Sequence, residues 1–191
     1  MAKLLTNVGM FVGFLNPKYD GKLLLVRRTS TDSIIPAISF KGNWELPGGA
    51  EEEADTVGYN YSVNVAFAKA KDKVGIDVPV DDQPFLGPVY GTSFKGPQGY
   101  DLGQVVPFVT KLEPTVGETM WVSPAELDAL AAKFVSESDA KKQGLPEADG
   151  LLSGKCKRMY LMAMSCLAYH SPNPFYRMDA CLLLRTCRFG K

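Results

Sequence analysis

Residues 42–76 read GNWELPGGAEEEADTVGYNYSVNVAFAKAKDKVGI, and this stretch decides the fold. WELPGG (44–49) reads as a strand closed by a tight Pro-Gly-Gly turn. From Thr56 to Val74 there is no proline, and Val63, Ala66, Phe67, Ala70 and Val74 recur at helical spacing. Gly75 stands where a helix C-cap glycine belongs, and the acid-rich AEEEAD before the helix suits the positive end of its dipole. Strand, turn and helix are expected in that order.

Upstream, the apolar runs GMFVGFL (9–15) and KLLLVRR (22–28) flank NPKYDG and predict a hairpin. Residues 29–41 read as a loop around IIPAISF. Downstream, PFLGPVYGTSF (84–94) and QVVPFVTKLE (104–113) are strand candidates joined by the glycine-rich KGPQGYDLG. In WVSPAELDALAAKFV (121–135), Ser123 is an N-cap, Pro124 takes the first helical position and Glu126 completes a capping box. SESDAKKQGLPEADG (136–150) is loop-like, and KCKRMYLMAMSCLAYH (155–170) predicts a helix stopped by SPNP. The tail FYRMDACLLLRTCRFGK is too apolar for a free solvated end. No repeats or low-complexity linkers interrupt the chain.

WELPGG and VGI (74–76), with LLLVRR before them and VVPFVTKLEP and GETMWVSPAELDAL after them, resemble the Nudix hydrolases. That family carries the box G-x5-E-x7-R-E-U-x-E-E-x-G-U, with U aliphatic. The likeness runs over roughly residues 8–135. It implies an α/β chain with a Nudix-type α/β/α sandwich, a mixed β-sheet and a C-terminal helical extension. The corresponding division is a Nudix-like domain over 1–135 and an extension over 136–191 packed on it. The family's activity is magnesium-dependent hydrolysis of a nucleoside diphosphate linked to another moiety.

The box departs from the family where its chemistry lies. Gly49 and Gly75 are 26 positions apart, five more than the family's pattern. Counting back from Gly75, R-E-U-x-E-E falls on Ala68, Lys69, Ala70, Lys71, Asp72 and Lys73. Acids at these places hold divalent metal in the family, because positions one turn apart converge on one face. Lys69 and Lys73 share that spacing and would repel magnesium by about 1 kcal/mol per solvated like charge. The same ammonium groups can instead grip a phosphate without a metal.

The candidate residues follow from this. Asp72 keeps one acid position, and Glu51, Glu52, Glu53 and Asp55, with Glu118, are acids available to a relocated site. In the catalytic reading Asp72, Glu53 and Glu118 act on the diphosphate, and Asp72, Glu52 and Asp55 hold Mg2+, the one cofactor implied. In the binding reading Lys69, Lys73, Arg27, Arg28, Glu45, Gly48 and Gly49 face the ligand. Tyr90, Phe94 and Tyr100 are candidates to stack a base, against ordinary loop packing. The bland alternative for the lysines is a solvated helix face, and for the acid run a helix cap.

Three functions of different class follow. The favoured one is a Nudix-fold pseudoenzyme that binds a nucleoside-diphosphate-like ligand, with absent or weak hydrolysis because Ala68, Lys69 and Lys73 replace Arg, Glu and Glu. The second is an active divergent magnesium-dependent hydrolase using relocated carboxylates. The third is a non-catalytic assembly or RNA- or protein-interaction module.

Composition bounds these readings. The 191 residues, 46% hydrophobic, suffice for one packed domain. The 21 basic and 21 acidic residues balance, so net charge does not favour a nucleic-acid partner. Basic residues nevertheless gather at the C-terminus: Lys155, Lys157, Arg158, Arg177, Arg185, Arg188 and Lys191. The expected partner is a nucleotide or phosphorylated small molecule; the Met-rich helix reads as core or as a dimer face, which leaves a homodimer open, and no membrane partner is expected. Cys156, Cys166, Cys181 and Cys187 form no CxxC pair, and they read as small buried hydrophobes. His170 reads as a helix-end packing residue. No signal peptide or spanning segment is evident, so a cytoplasmic protein is expected.

Overall fold

Strand β1 (Leu5–Asn16) separates two apolar cores by its own alternation. Phe11 and Leu15 belong to one core, and Met10, Val12 and Phe14 to the other. β2 (Lys22–Arg27) divides the same way, with Leu23 and Leu25 opposed to Leu24 and Val26. A strand buried on both faces places its apolar residues on alternate sides, so each face needs its own helical cover. The computed structural model describes residues 5–29, 41–51, 59–82, 90–96, 99–133, 149–152 and 158–186.

The remaining strands are β3 (Trp44–Glu45), β4 (Gly48–Glu51), β5 (Tyr90–Gly96), β6 (Gly99–Val109) and β7 (Thr119–Val122). The main path runs β3-β2-β1-β6-β5, with β4 also on β1 and β7 also on β2. β1 is parallel to β6 and antiparallel to β2 and β4, so the sheet is mixed. Helix α1 (Tyr59–Val74) covers one face with Val63, Ala66, Phe67, Ala70 and Val74. Helices α2 (Pro124–Lys133) and α3 (Arg158–His170) supply the other core. The result is an α/β/α sandwich.

α3 is buried along most of its length. Met159, Tyr160, Met162, Ala163, Met164, Cys166 and Leu167 are all fully buried in the second core. Its methionines are therefore core filler in the chain itself. Gly13 lets α3 approach β1, since a Cβ there would lie 2.4 Å from the Cys166 sulfur. Burial pushes the Cys166 thiol well above its ordinary pKa. At the end of α3, desolvation and the Arg177 charge hold His170 below its ordinary value.

The structure differs from the sequence reading at several places, among them β6, which runs Gly99–Val109 rather than 104–113, so that most of KGPQGYDLG is strand. WELPGG is two short strands, because Pro47 has no N–H to continue a ladder and Gly48 turns at φ 145°. β1 starts at Leu5, earlier than the apolar run suggests, since β6 pairs with it from that residue. SPNP ends α3 but starts α4 (Pro174–Thr186), with the Asn173 side chain accepting the Phe175 N–H at 2.8 Å. α4 lies on α3 and α2 and buries only Ala180 fully. Ser171 in the connection donates its hydroxyl to the Gly21 carbonyl at 3.0 Å, and burial with the Asp20 carboxylate raises the Tyr176 phenol above its ordinary pKa.

The expected capping box of α2 forms. The Ser123 N–H donates to Glu126 at 2.7 Å, and the Glu126 N–H returns to the Ser123 hydroxyl at 3.3 Å. Burial works to raise the Glu126 carboxyl, but the Ser123 N–H, Lys22 and the Ser123 hydroxyl together hold it below its ordinary pKa. Ser123→Ala is expected to lower stability by about 1 kcal/mol in urea unfolding. Because the folded pKa is depressed, the contribution of Glu126 is present above its unfolded pKa and lost as pH falls through the folded one. The stability gap between the parent and Glu126→Gln should therefore close on acidification and be widest near neutrality.

Candidate functional site

Among the described residues Glu45 is the most deeply placed charged side chain of the box region, 1% exposed on the short strand β3. β3 is fixed by antiparallel pairing with β2, Val26 opposite Glu45 and Arg27 opposite Trp44. Residues 149–152 hold its other side: Trp44 N–H donates to Gly150 O at 2.8 Å, and Leu152 N–H to Trp44 O at 2.8 Å. A buried carboxylate is costly unless it is both paired and hydrogen-bonded. Here both oxygens are occupied. The Lys73 ammonium closes on Oε1, and Arg28 Nη1 donates to Oε2 at 3.2 Å.

Lys73 comes to this point because the last turn of α1 is fixed from two sides. Gly75 adopts φ 71°, and its N–H caps the helix on Lys71 O at 2.7 Å. Thr115 N–H then donates to Val74 O at 2.9 Å, so the loop before β7 seals the helix end. A side chain at Gly75 would meet the Thr115 hydroxyl at 2.0 Å. The glycine that registers the box in sequence thus also positions its last lysine.

The other candidates surround this pair. The Lys69 stem crosses Gly49, where a Cβ would lie 3.1 Å from the Lys69 Cδ. Among the described residues no acid pairs with Lys69. Gly48 is tighter still: a Cβ there would meet the Met10 carbonyl at 2.2 Å. Arg27 pairs with Glu118 at 3.0 Å, donates Nε to Gly42 O at 3.2 Å, and sits 5.9 Å over the Trp44 ring. Both arginines find carboxylates, Arg27 on Glu118 and Arg28 on Glu45. Among the described residues, Arg27, Arg28, Lys69 and Lys73 thus stand with the carboxylates of Glu45 and Glu118, and Asp149 accepts the Trp44 ring N–H at 3.2 Å.

Asp72 stands elsewhere. It is exposed, and lies roughly 200° around the helix from the fully buried Ala70. Lys71 turns to Asp77 at 2.6 Å, a surface pair. Glu52, Glu53 and Asp55 lie outside the described residues, as do the side chains of Glu51, Tyr90, Phe94 and Tyr100. Among the described residues no three His, Cys, Asp or Glu side chains come together as a metal would require. Glu45, with both oxygens taken by protein cations, offers no open ligand position, so the described residues do not fit Mg2+.

The pairing of Glu45 with Lys73 is the feature that sequence reasoning missed. Its only trace is a lone acid on the box strand and a lysine at the box's last acid position. The sequence expectation for Glu45 is a ligand contact, whereas both its carboxylate oxygens meet cations of the protein.

No family model matches the chain, and no curated protein matches it. Solved structures do resemble it. A MutT protein from Methanosarcina mazei Go1 is 18% identical, with 68% of this chain and 85% of that one covered at a TM-score of 0.48. The NUDIX domain of Shewanella oneidensis NrtR, solved with ADP ribose, is 15% identical, with 74% and 84% covered at 0.44. A bifunctional NMN adenylyltransferase/ADP ribose pyrophosphatase from Francisella tularensis, solved with AMP and a Mn ion, is 13% identical, with 98% and 43% covered at 0.42. These likenesses concern fold alone, and the functional argument rests on this chain's own residues.

Lys73→Ala leaves Glu45 buried with Arg28 alone and should cost about 1–3 kcal/mol in urea unfolding. Lys73→Met combined with Glu45→Gln removes both charges and should cost clearly less than the two single changes summed. Strict additivity would mean that the two groups do not depend on each other.

Proposed function

We propose that this chain binds a nucleoside-diphosphate-like anion without metal and hydrolyses it weakly or not at all. The observation that carries this reading is the Glu45 carboxylate closed by Lys73 and Arg28, with Lys69 beside Gly49 and paired to no described carboxylate. A diphosphate brings negative charge that ammonium and guanidinium donors can neutralise directly. Lys69 is the residue best suited to the contact, because its charge is not consumed by any described carboxylate. Gly48 and Gly49 leave the backbone of β4 bare of side chains beside it.

Hydrolysis asks for more than charge neutralisation. An attacking water must lose a proton, and metal ions commonly lower its pKa for that purpose. Lysine ammonium groups supply positive charge but no base, and Glu45 is withdrawn into its ion pairs. Binding therefore outlasts turnover in this arrangement of residues.

The test is titration calorimetry of the full chain with ADP-ribose, in magnesium and in EDTA, beside an assay for AMP release. Equal affinity in both buffers is expected, with release at the uncatalysed background. Lys69→Glu should weaken binding roughly tenfold by reversing one contact charge. Lys69 is the informative position, since altering Lys73 would also disturb the fold. Binding that requires magnesium, with steady AMP release, would instead establish the divergent hydrolase.

A further inference from the structure

Glu45 differs from the other acids in the described ion pairs in having nowhere else to go. Glu113, Glu126, Glu118, Asp77 and Asp149 have side chains 37–65% exposed, so each can turn to water and release its cation. The Glu45 side chain is 2% exposed. Its strand is paired with β2 on one edge and tied to residues 150–152 on the other, so the carboxylate cannot swing out. Lys73 can leave it only by stranding a buried charge with one partner fewer.

The two cations do not depend on Glu45 for their positions. The end of α1 is fixed by the Gly75 cap and by the Thr115 N–H on Val74 O. Arg28 is fixed by its own backbone, whose N–H donates to Asn43 O and whose carbonyl accepts from the Gly42 N–H, both at 2.9 Å. Lys73 is 33% and Arg28 18% exposed, so both side chains reach solvent. Lys69 stands one helical turn before Lys73, and positions four apart have Cβ atoms about 6 Å from each other. A diphosphate drawn to Lys69 is therefore close enough to meet Lys73 as well, and finds its charge already answered by Glu45.

We propose that Glu45 is an internal anion of the binding site: it holds the cations that a ligand's phosphates would otherwise take, and so limits how tightly the site grips them. This rests on the anion-binding reading above and deepens it. With the carboxylate in place, Lys69 carries the contact with the ligand. With the carboxylate neutralised, Lys73 and Arg28 turn to the ligand without moving their backbones. Because both are already positioned, little ordering cost opposes the new contacts.

Titration calorimetry of the full chain in EDTA tests this, with inorganic pyrophosphate and with ADP-ribose as probes. Glu45→Gln, with an unchanged circular dichroism spectrum, should bind pyrophosphate at least about tenfold more tightly than the parent. Adding Lys73→Met to that variant should remove much of the gain. Glu45→Met, whose apolar side chain suits the buried position, takes its place if the glutamine variant does not fold. Equal or weaker pyrophosphate binding by a folded Glu45 variant overturns the proposal, and so does a gain that Lys73→Met leaves untouched. The underlying reading is judged separately, by the parent and ADP-ribose. A parent that ignores ADP-ribose while Glu45→Gln gains pyrophosphate binding refutes that reading and upholds the role of Glu45. A parent that binds ADP-ribose while the Glu45 variants gain nothing does the reverse.

Discussion

An ionised carboxylate in a protein interior costs several kcal/mol unless cations and hydrogen bonds surround it, and Glu45 sets that requirement for the whole box region. Meeting it takes Lys73 from the end of α1 and Arg28 from just beyond β2, so one buried charge ties three segments together. The neighbouring Arg27–Glu118 pair is different in kind. Its partners are 30% and 58% exposed, and such a pair contributes about 1 kcal/mol or less. Glu45 therefore fixes where α1 ends relative to the sheet, while Glu118 adjusts an arginine already held by its backbone. The Gly75 turn and the loop after Thr115 serve the same constraint by holding Lys73 in reach.

That constraint also divides the two box lysines, which the sequence presents as equals. Lys73 is structural, because Glu45 would otherwise be left with one partner. Lys69, one turn earlier, lies along Gly49 with its charge uncommitted among the described residues. Replacing both at once would mix a folding defect with a binding defect. The proposed anion site thus reduces to Lys69 as the adjustable contact, backed by a charge cluster whose interior is already balanced.

Much of this fold is legible from side-chain alternation. Phe11 and Leu15 against Met10, Val12 and Phe14 say that β1 is buried on both faces, and the Val63 to Val74 spacing gives α1 its inner face. Ser123 and Glu126 foretell a cap because the interaction is local in sequence. The site is less legible, because its decisive contact joins residues far apart in the chain. Glu45 and Lys73 read separately as a ligand contact and a cleft cation; only their meeting shows that each cancels the other. Asp72 looks useful by its position in the box, yet a helix turns 100° per residue, and the face that presents Lys73 turns Asp72 to solvent. α4 is hard to read in the sequence for another reason. Its apolar residues lie on both sides, so the tail shows hydrophobicity without the one-sided period that marks a surface helix.

The box lysines and helix α4 lie on opposite sides of the sheet. Lys69 and Lys73 belong to the α1 layer, and α4 rests on α2 and α3. Between them stand β1 and β2, close-packed on both faces, which is a stiff partition. Residues separated in this way usually contribute additively, so a change on the outer face of α4 should leave the anion site undisturbed. Three exposed apolar residues of that face have little to do with holding the fold. Ala180 and its inner neighbours already attach the helix, and solvent-exposed Phe175, Met178 and Leu182 add nothing to that attachment while making the surface more prone to aggregate. Polar residues at those three positions would serve folding equally well.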